Sequence, residues 1–138
     1  MTHYARATPK DYTDERNAVT QHIDQLNDYP AFALSVRLAK QLLPFTAGHA
    51  PGTPAGSWAD QTYRSATSVS ANIAEGVGRM MRSQVIQFFR VARGSAFETV
   101  SHLSLSPLPD TDLTDLRRQY VTLIEAIDLS LTSLIDPQ

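Results

Sequence analysis

Within the run Ala71-Asn72-Ile73-Ala74-Glu75-Gly76-Val77-Gly78-Arg79, an amide, a carboxylate and a guanidinium recur at steps of three and four residues. At that spacing Asn72, Glu75 and Arg79 share one face of a helix, and further four-residue steps backwards add Ser68 and Arg64. Arg90, Arg93 and Glu98 repeat the same chemistry further along the chain. Such groups can pair, fixing the register of helices or subunits through directional bonds. Surplus arginines can instead bind anions, nucleic-acid phosphates above all. Catalysis by Glu75 finds no support, because neither segment holds a histidine, cysteine or lysine to complete a mechanism. The chain therefore reads as non-enzymatic, with no catalytic residue and no cofactor.

Other chemistry-bearing residues are weaker signals. Glu98 and His102 stand four apart, but the metal-binding bundle motif is Glu-x-x-His with further glutamates. His3, His22 and His49 are scattered, so no metal site is expected. Gly76 and Gly78 lack both the preceding strand and the following Lys-Ser/Thr of a phosphate loop. Gly94 lies in the middle of a helical pattern, where glycine costs about 1 kcal/mol relative to alanine. Close helix approach, within the bundle or between subunits, would account for it; a ligand against bare backbone is the other reading. Trp58 and Tyr63 could stack on bases. Tyr63, beside Arg64, is the better candidate, and the expected nucleic-acid contacts are Tyr63, Arg64, Arg79, Arg82, Arg90 and Arg93.

Helices must position these groups, since no segment alternates with period two. Residues 1–12 are polar and unpatterned, which predicts a mobile tail. Thr13 is placed to cap a short helix with Asp14 and Glu15 in its first turn, and Val19, Ile23 and Leu26 mark its apolar face. Pro30 opens the next helix, with Ala31, Leu34, Leu38, Leu42 and Phe45 inward and Pro44 near its end. Glycines and prolines then predict an exposed loop over 46–56. Ser57, with Asp60 in an approximate capping box, starts a long helix to about Arg79. Its seam is Ala59, Thr62, Ala66, Val69, Ile73, Gly76 and Met80.

After a break near Met80–Ser83, a helix to about Leu105 buries Val85, Phe89, Ala92, Ala96, Val100 and Leu103. Pro107 and Pro109 stop it. Asp110 or Thr111 caps a last helix with Leu113, Leu116, Tyr120, Leu123, Ile127, Leu131 and Leu134 in heptad steps. The expected architecture is all-α: an antiparallel up-and-down four-helix bundle over 29–138, preceded by an extension over 1–28. A short turn near residue 81 would set Ser68 beside Arg93 or Gly94, and Asn72 beside Arg90. Glu75 would then reach Arg79 on its own helix and Arg90 across the pair.

The net charge of −2 conceals a segregation. Residues 61–97 carry five arginines against Glu75 alone, whereas residues 98–138 carry two basic and seven acidic side chains. Such asymmetry suits either an anion-binding face or regions that attract one another. The chain has no cysteine, which excludes disulfide and thiolate chemistry and suits a reducing compartment. No membrane-length apolar run and no signal-like start are present. A cytoplasmic protein without membrane partners is expected.

Two motifs also carry a resemblance. Gln61, Arg64, Ala66, Ser68, the run Ala71 to Gly76 and Arg79 form the first. The second is Phe88-Phe89-Arg90-Val91-Ala92-Arg93-Gly94-Ser95 followed by Glu98. Together they resemble the signature of the four-helix bundle proteins encoded within intervening sequences of 23S ribosomal RNA genes. That family is related to the accessory protein of diversity-generating retroelements. The resemblance runs from about Tyr29 to the C-terminus.

It implies a non-enzymatic bundle that assembles into a homopentameric ring. It places Asn72, Glu75, Gly76, Arg79, Arg93, Gly94 and Glu98 in the polar network and oligomer interface. It also implies RNA, a ribonucleoprotein or a reverse transcriptase as partner. The alternative is an interaction scaffold whose arginines form intersubunit salt bridges. Trp58 stands where the family has a large apolar residue, which implies a core or cap role. Gln84 and Gln87 are neutral where the family is often lysine-rich, Ser70 replaces a frequent proline, and Tyr63 replaces a common basic residue.

Overall fold

The computed structural model describes residues 18–137, and all of their regular structure is helical. Helix α1 covers residues 18–24 and tightens into a 3-10 turn over Gln25–Asp28. It is followed by α2 (Pro30–Thr46), α3 (Pro54–Gly78), α4 (Arg82–Ser104) and α5 (Asp110–Ile135). The expected tail over 1–12 and the cap at Thr13 with Asp14 and Glu15 lie outside the described residues. Among those described there is no strand, and no helix is long and apolar enough to cross a membrane.

The heptad-like spacings build one core. Leu38 and Leu42 of α2, Val69 and Ile73 of α3, Phe89 and Leu103 of α4, and Leu113, Tyr120, Leu123 and Ile127 of α5 are at most 1% exposed. Each large apolar side chain buried in this way stabilises the fold by about 1.5–3 kcal/mol. Leu34, Phe45, Val100 and Leu134, also expected inside, pack against this core half-buried. Tyr29, just before α2, tilts against Phe89 with ring centroids 5.0 Å apart.

Several helix ends depart from the sequence reading. Helix α2 continues two residues beyond Pro44. The missing Pro44 N–H leaves the turn intact because Ala47 N–H donates to Leu43 O at 2.9 Å and Thr46 Oγ1 donates to Leu42 O and Leu43 O at 3.3 and 3.2 Å. Helix α3 starts three residues before Ser57. Thr53 is its N-cap, accepting from Gly56 N–H at 3.1 Å, with Pro54 at the first helical position where its missing donor costs nothing. Ser57 instead accepts from Gln61 at 3.3 Å. Helix α5 starts at Asp110 with Pro109 as its N-cap residue, one position before the earlier of the two expected caps.

Met80 leaves the seam of α3. The helix ends at Gly78, and Met80 adopts the left-handed conformation (φ 58°), which terminates helices but is uncommon for a non-glycine residue. Its side chain is 69% exposed. The apolar face expected on α1 also reaches the core only at Leu26, while Val19 and Ile23 remain exposed beside an open groove against Ala74, Val77 and Met80.

Candidate nucleic-acid interface

Contacts between α3 and α4 pair residues that ascend on one helix with residues that descend on the other. Trp58 Nε1 donates to His102 O at 2.7 Å, Thr99 Oγ1 donates to Ser65 Oγ at 2.8 Å, and the Ser68 and Ser95 hydroxyls lie 3.0 Å apart. Nearer the turn, a Cβ on Gly76 would lie 2.8 Å from Phe88 Cβ, so glycine permits the close approach there. Trp58 packs half-buried against the core, the first of the two roles the resemblance implied, and its indole also ties the start of α3 to the end of α4. Ser68 meets Ser95, one and two residues past the expected neighbours Gly94 and Arg93. That small shift matters, because each residue turns the helix by about 100°.

The anticipated single polar network is consequently divided. Asn72 Nδ2 donates to Ser68 O at 2.8 Å and to Ser68 Oγ at 2.9 Å, continuing the hydroxyl ladder along the α3–α4 seam. Glu75 and Arg79 pair at 2.8 Å as the spacing required, and Arg79 also lies over the Phe88 ring, 5.3 Å from its centroid. Glu75 has no bond to Arg90. Arg93 faces α5, where it holds Asp128 through two bonds of 2.6 and 3.2 Å and sits 4.7 Å over the Phe97 ring. Those bonds raise the Arg93 pKa above its ordinary value and keep it charged. Glu98 approaches His102 at 3.4 Å and not an arginine.

Gly94 is exposed, and a Cβ there would meet nothing within 4 Å. Close approach within the bundle therefore does not account for this glycine. Ser65, Thr99, Asp128 and Phe97 were not singled out from the sequence, and Ser95 entered only as the end of the second motif, without its role in the seam. Ser95 and Thr99 carry a usable signal, since each follows a core alanine, Ala92 or Ala96, by three residues.

The remaining arginines differ in their engagement. Arg64 pairs with Asp60 at 3.1 Å, both largely solvated, an arrangement of little energetic weight. Tyr63 lies 37% exposed beside the α2–α3 loop. Arg82 donates to Leu134 O at 2.5 Å and to Ile135 O at 3.1 Å, so it caps the last turn of α5 where the helix dipole favours a cation. Arg90 is exposed and makes no ion pair or side-chain hydrogen bond among the described residues. Arg82 and Arg90 line one open groove of about 590 Å³ with Ser83, Ile86 and Ile135. The expected contacts thus occupy different edges of the molecule, with Arg82, Arg90 and Arg93 together on the α5 side of α4.

A family model described as 23S rRNA-intervening sequence protein matches residues 27–128. No curated protein and no solved structure matched the chain. The matched segment holds α2, α3, α4 and most of α5, and begins after the α-helical part of α1.

Proposed function

We propose that this chain, which belongs to the 23S rRNA-intervening sequence protein family, is a non-enzymatic RNA-binding bundle acting through the arginine-bearing edge of α4. The observation that carries this reading is Arg90, a solvated cation with no partner among the described residues, sharing a groove with Arg82. Arg64, Arg79 and Arg93 each have a carboxylate partner in the same chain, so the field of five arginines is partly neutralised. Moderate affinity with marked salt dependence follows. A catalytic role for Glu75 finds no support, since its partner is a guanidinium, which neither gives nor takes a proton. An antiparallel up-and-down course of α2 to α5 accords with the opposed pairings of α3 with α4. The cysteine-free composition accords with the cytoplasm.

Self-assembly is the second part of the proposal. A mid-helix glycine facing open space on the outer face of α4 is an unfavourable choice for an isolated chain. Gly94 beside exposed Val91 suits the close approach of a second copy, and a five-membered ring would repeat the α4 edge around its axis. The scaffold alternative needs intersubunit pairs for the same arginines; the intrachain partners of Arg79 and Arg93 weigh against it. The test is a titration against structured RNA at low and physiological salt, with sedimentation run in parallel. Binding that weakens with salt supports the proposal. Absence of binding at low salt leaves the scaffold.

A further inference from the structure

Along α4, residues 82, 86, 90, 93 and 97 follow steps of four, four, three and four, so they form one continuous stripe on a helix. Its order is Arg82, Ile86, Arg90, Arg93, Phe97, and at 1.5 Å per residue it extends about 22 Å. From this stripe we infer that the RNA taken by the site is single-stranded, lying along the α4–α5 edge with Arg82 and Arg90 on phosphates and Phe97 under an unpaired base. This inference rests on the RNA-binding reading above and specifies the strand.

Three features of the stripe select a single strand. First, the two cations are distinct in preparation but alike in reach. Arg82 is pre-ordered by the α5 carbonyls, Arg90 is unpartnered, and their Cα atoms are separated by about 12 Å along the helix. They therefore contact separate phosphates of one strand. Second, Phe97 is 50% exposed although Arg93 lies over its ring. An exposed aromatic ring with a guanidinium against it is a stacking platform, and every base offers a π-face to it. Third, Ile86 and the exposed Ile135 line the same groove as the two cations. Apolar side chains find no partner on the sugar–phosphate exterior of an A-form duplex, whose deep, narrow major groove excludes them. Unpaired bases satisfy all three features. Arg93 is the exception to the basic series: Asp128 neutralises it, so it positions Phe97 and does not count as a phosphate contact.

Two phosphate contacts on a single strand predict a log–log salt slope of about −1.4. The test measures anisotropy of the full chain with an unstructured oligonucleotide of about 15 nucleotides and with a duplex of equal length, over a salt series. Single-strand affinity should exceed duplex affinity roughly tenfold or more, as unpaired bases reach the platform. Phe97→Ala should weaken single-strand binding about five- to a hundredfold with the slope unchanged, and Phe97→Tyr should restore it. Arg90→Gln should bring the slope to about −0.7. Arg37→Gln on α2 is the control and should change neither. These residues are all exposed, and thermal melts confirm folding of each variant. Equal or tighter duplex binding, or wild-type behaviour of both the Phe97→Ala and Arg90→Gln variants, overturns the single-strand inference and leaves RNA binding standing. Failure of every RNA to bind at low salt removes both.

Discussion

Tyr120 shows how much one buried polar atom governs at the level of a residue. Its side chain is fully buried and its hydroxyl has no hydrogen-bond partner among the described residues. Desolvation pushes its phenol well above the ordinary value of 10.0. The unfolded chain therefore ionises Tyr120 near pH 10 while the folded chain does not. This contribution to stability is intact below pH 10 and declines as the pH rises beyond it. Tyr120→Phe should raise stability by about 1 kcal/mol at pH 7 and flatten the alkaline decline, measured by urea unfolding across pH 8 to 11. A loss of similar size would reveal a partner for the hydroxyl. At the same scale, the Glu75–Arg79 pair was legible because a four-residue step on one helix suffices to define it. Arg93–Asp128 was not, since it depends on the rotation of α4 relative to α5. Replacing Asp128 by Asn should cost no more than about 1 kcal/mol, as both side chains are 40–45% exposed.

At the scale of the helices, period and punctuation carried most of the information. The inward positions of α4 and α5 followed from their heptad-like steps, because a bundle core rewards that spacing directly. Helix ends were less legible, since local signals competed. Thr53-Pro54 prevailed over Ser57 because proline is already suited to the first turn, whereas Pro44 failed to stop α2 because bonds from Thr46 and Ala47 closed the turn beyond it. The two glycines of the signature motifs provide a matched test. Gly76→Ala should destabilise by about 1–3 kcal/mol, through the clash with Phe88. Gly94→Ala meets open space and should stabilise the isolated chain by about 1 kcal/mol. Thermal melts at low and high protein concentration separate this intrinsic gain from an effect on assembly. A gain at low concentration with loss of the oligomer assigns Gly94 to the subunit contact, while an unchanged oligomer removes that assignment.

Across the whole molecule, the charge segregation visible in the sequence becomes a more specific arrangement. The acidic last helix supplies Asp128 to its own chain, so part of the asymmetry is consumed internally. What remains is a mixed basic and apolar edge on α4, which composition alone could not distinguish from a uniformly basic face. The family assignment was legible from two motifs, but those motifs define helix packing more than they define a ligand. The most direct measurement of the central claim is the RNA affinity of the intact protein across salt, compared with that of Arg90→Gln. Binding should weaken steadily as salt rises, with a clearly shallower dependence for Arg90→Gln and no change in melting temperature. Equal affinity and equal salt dependence for the two proteins would contradict that claim.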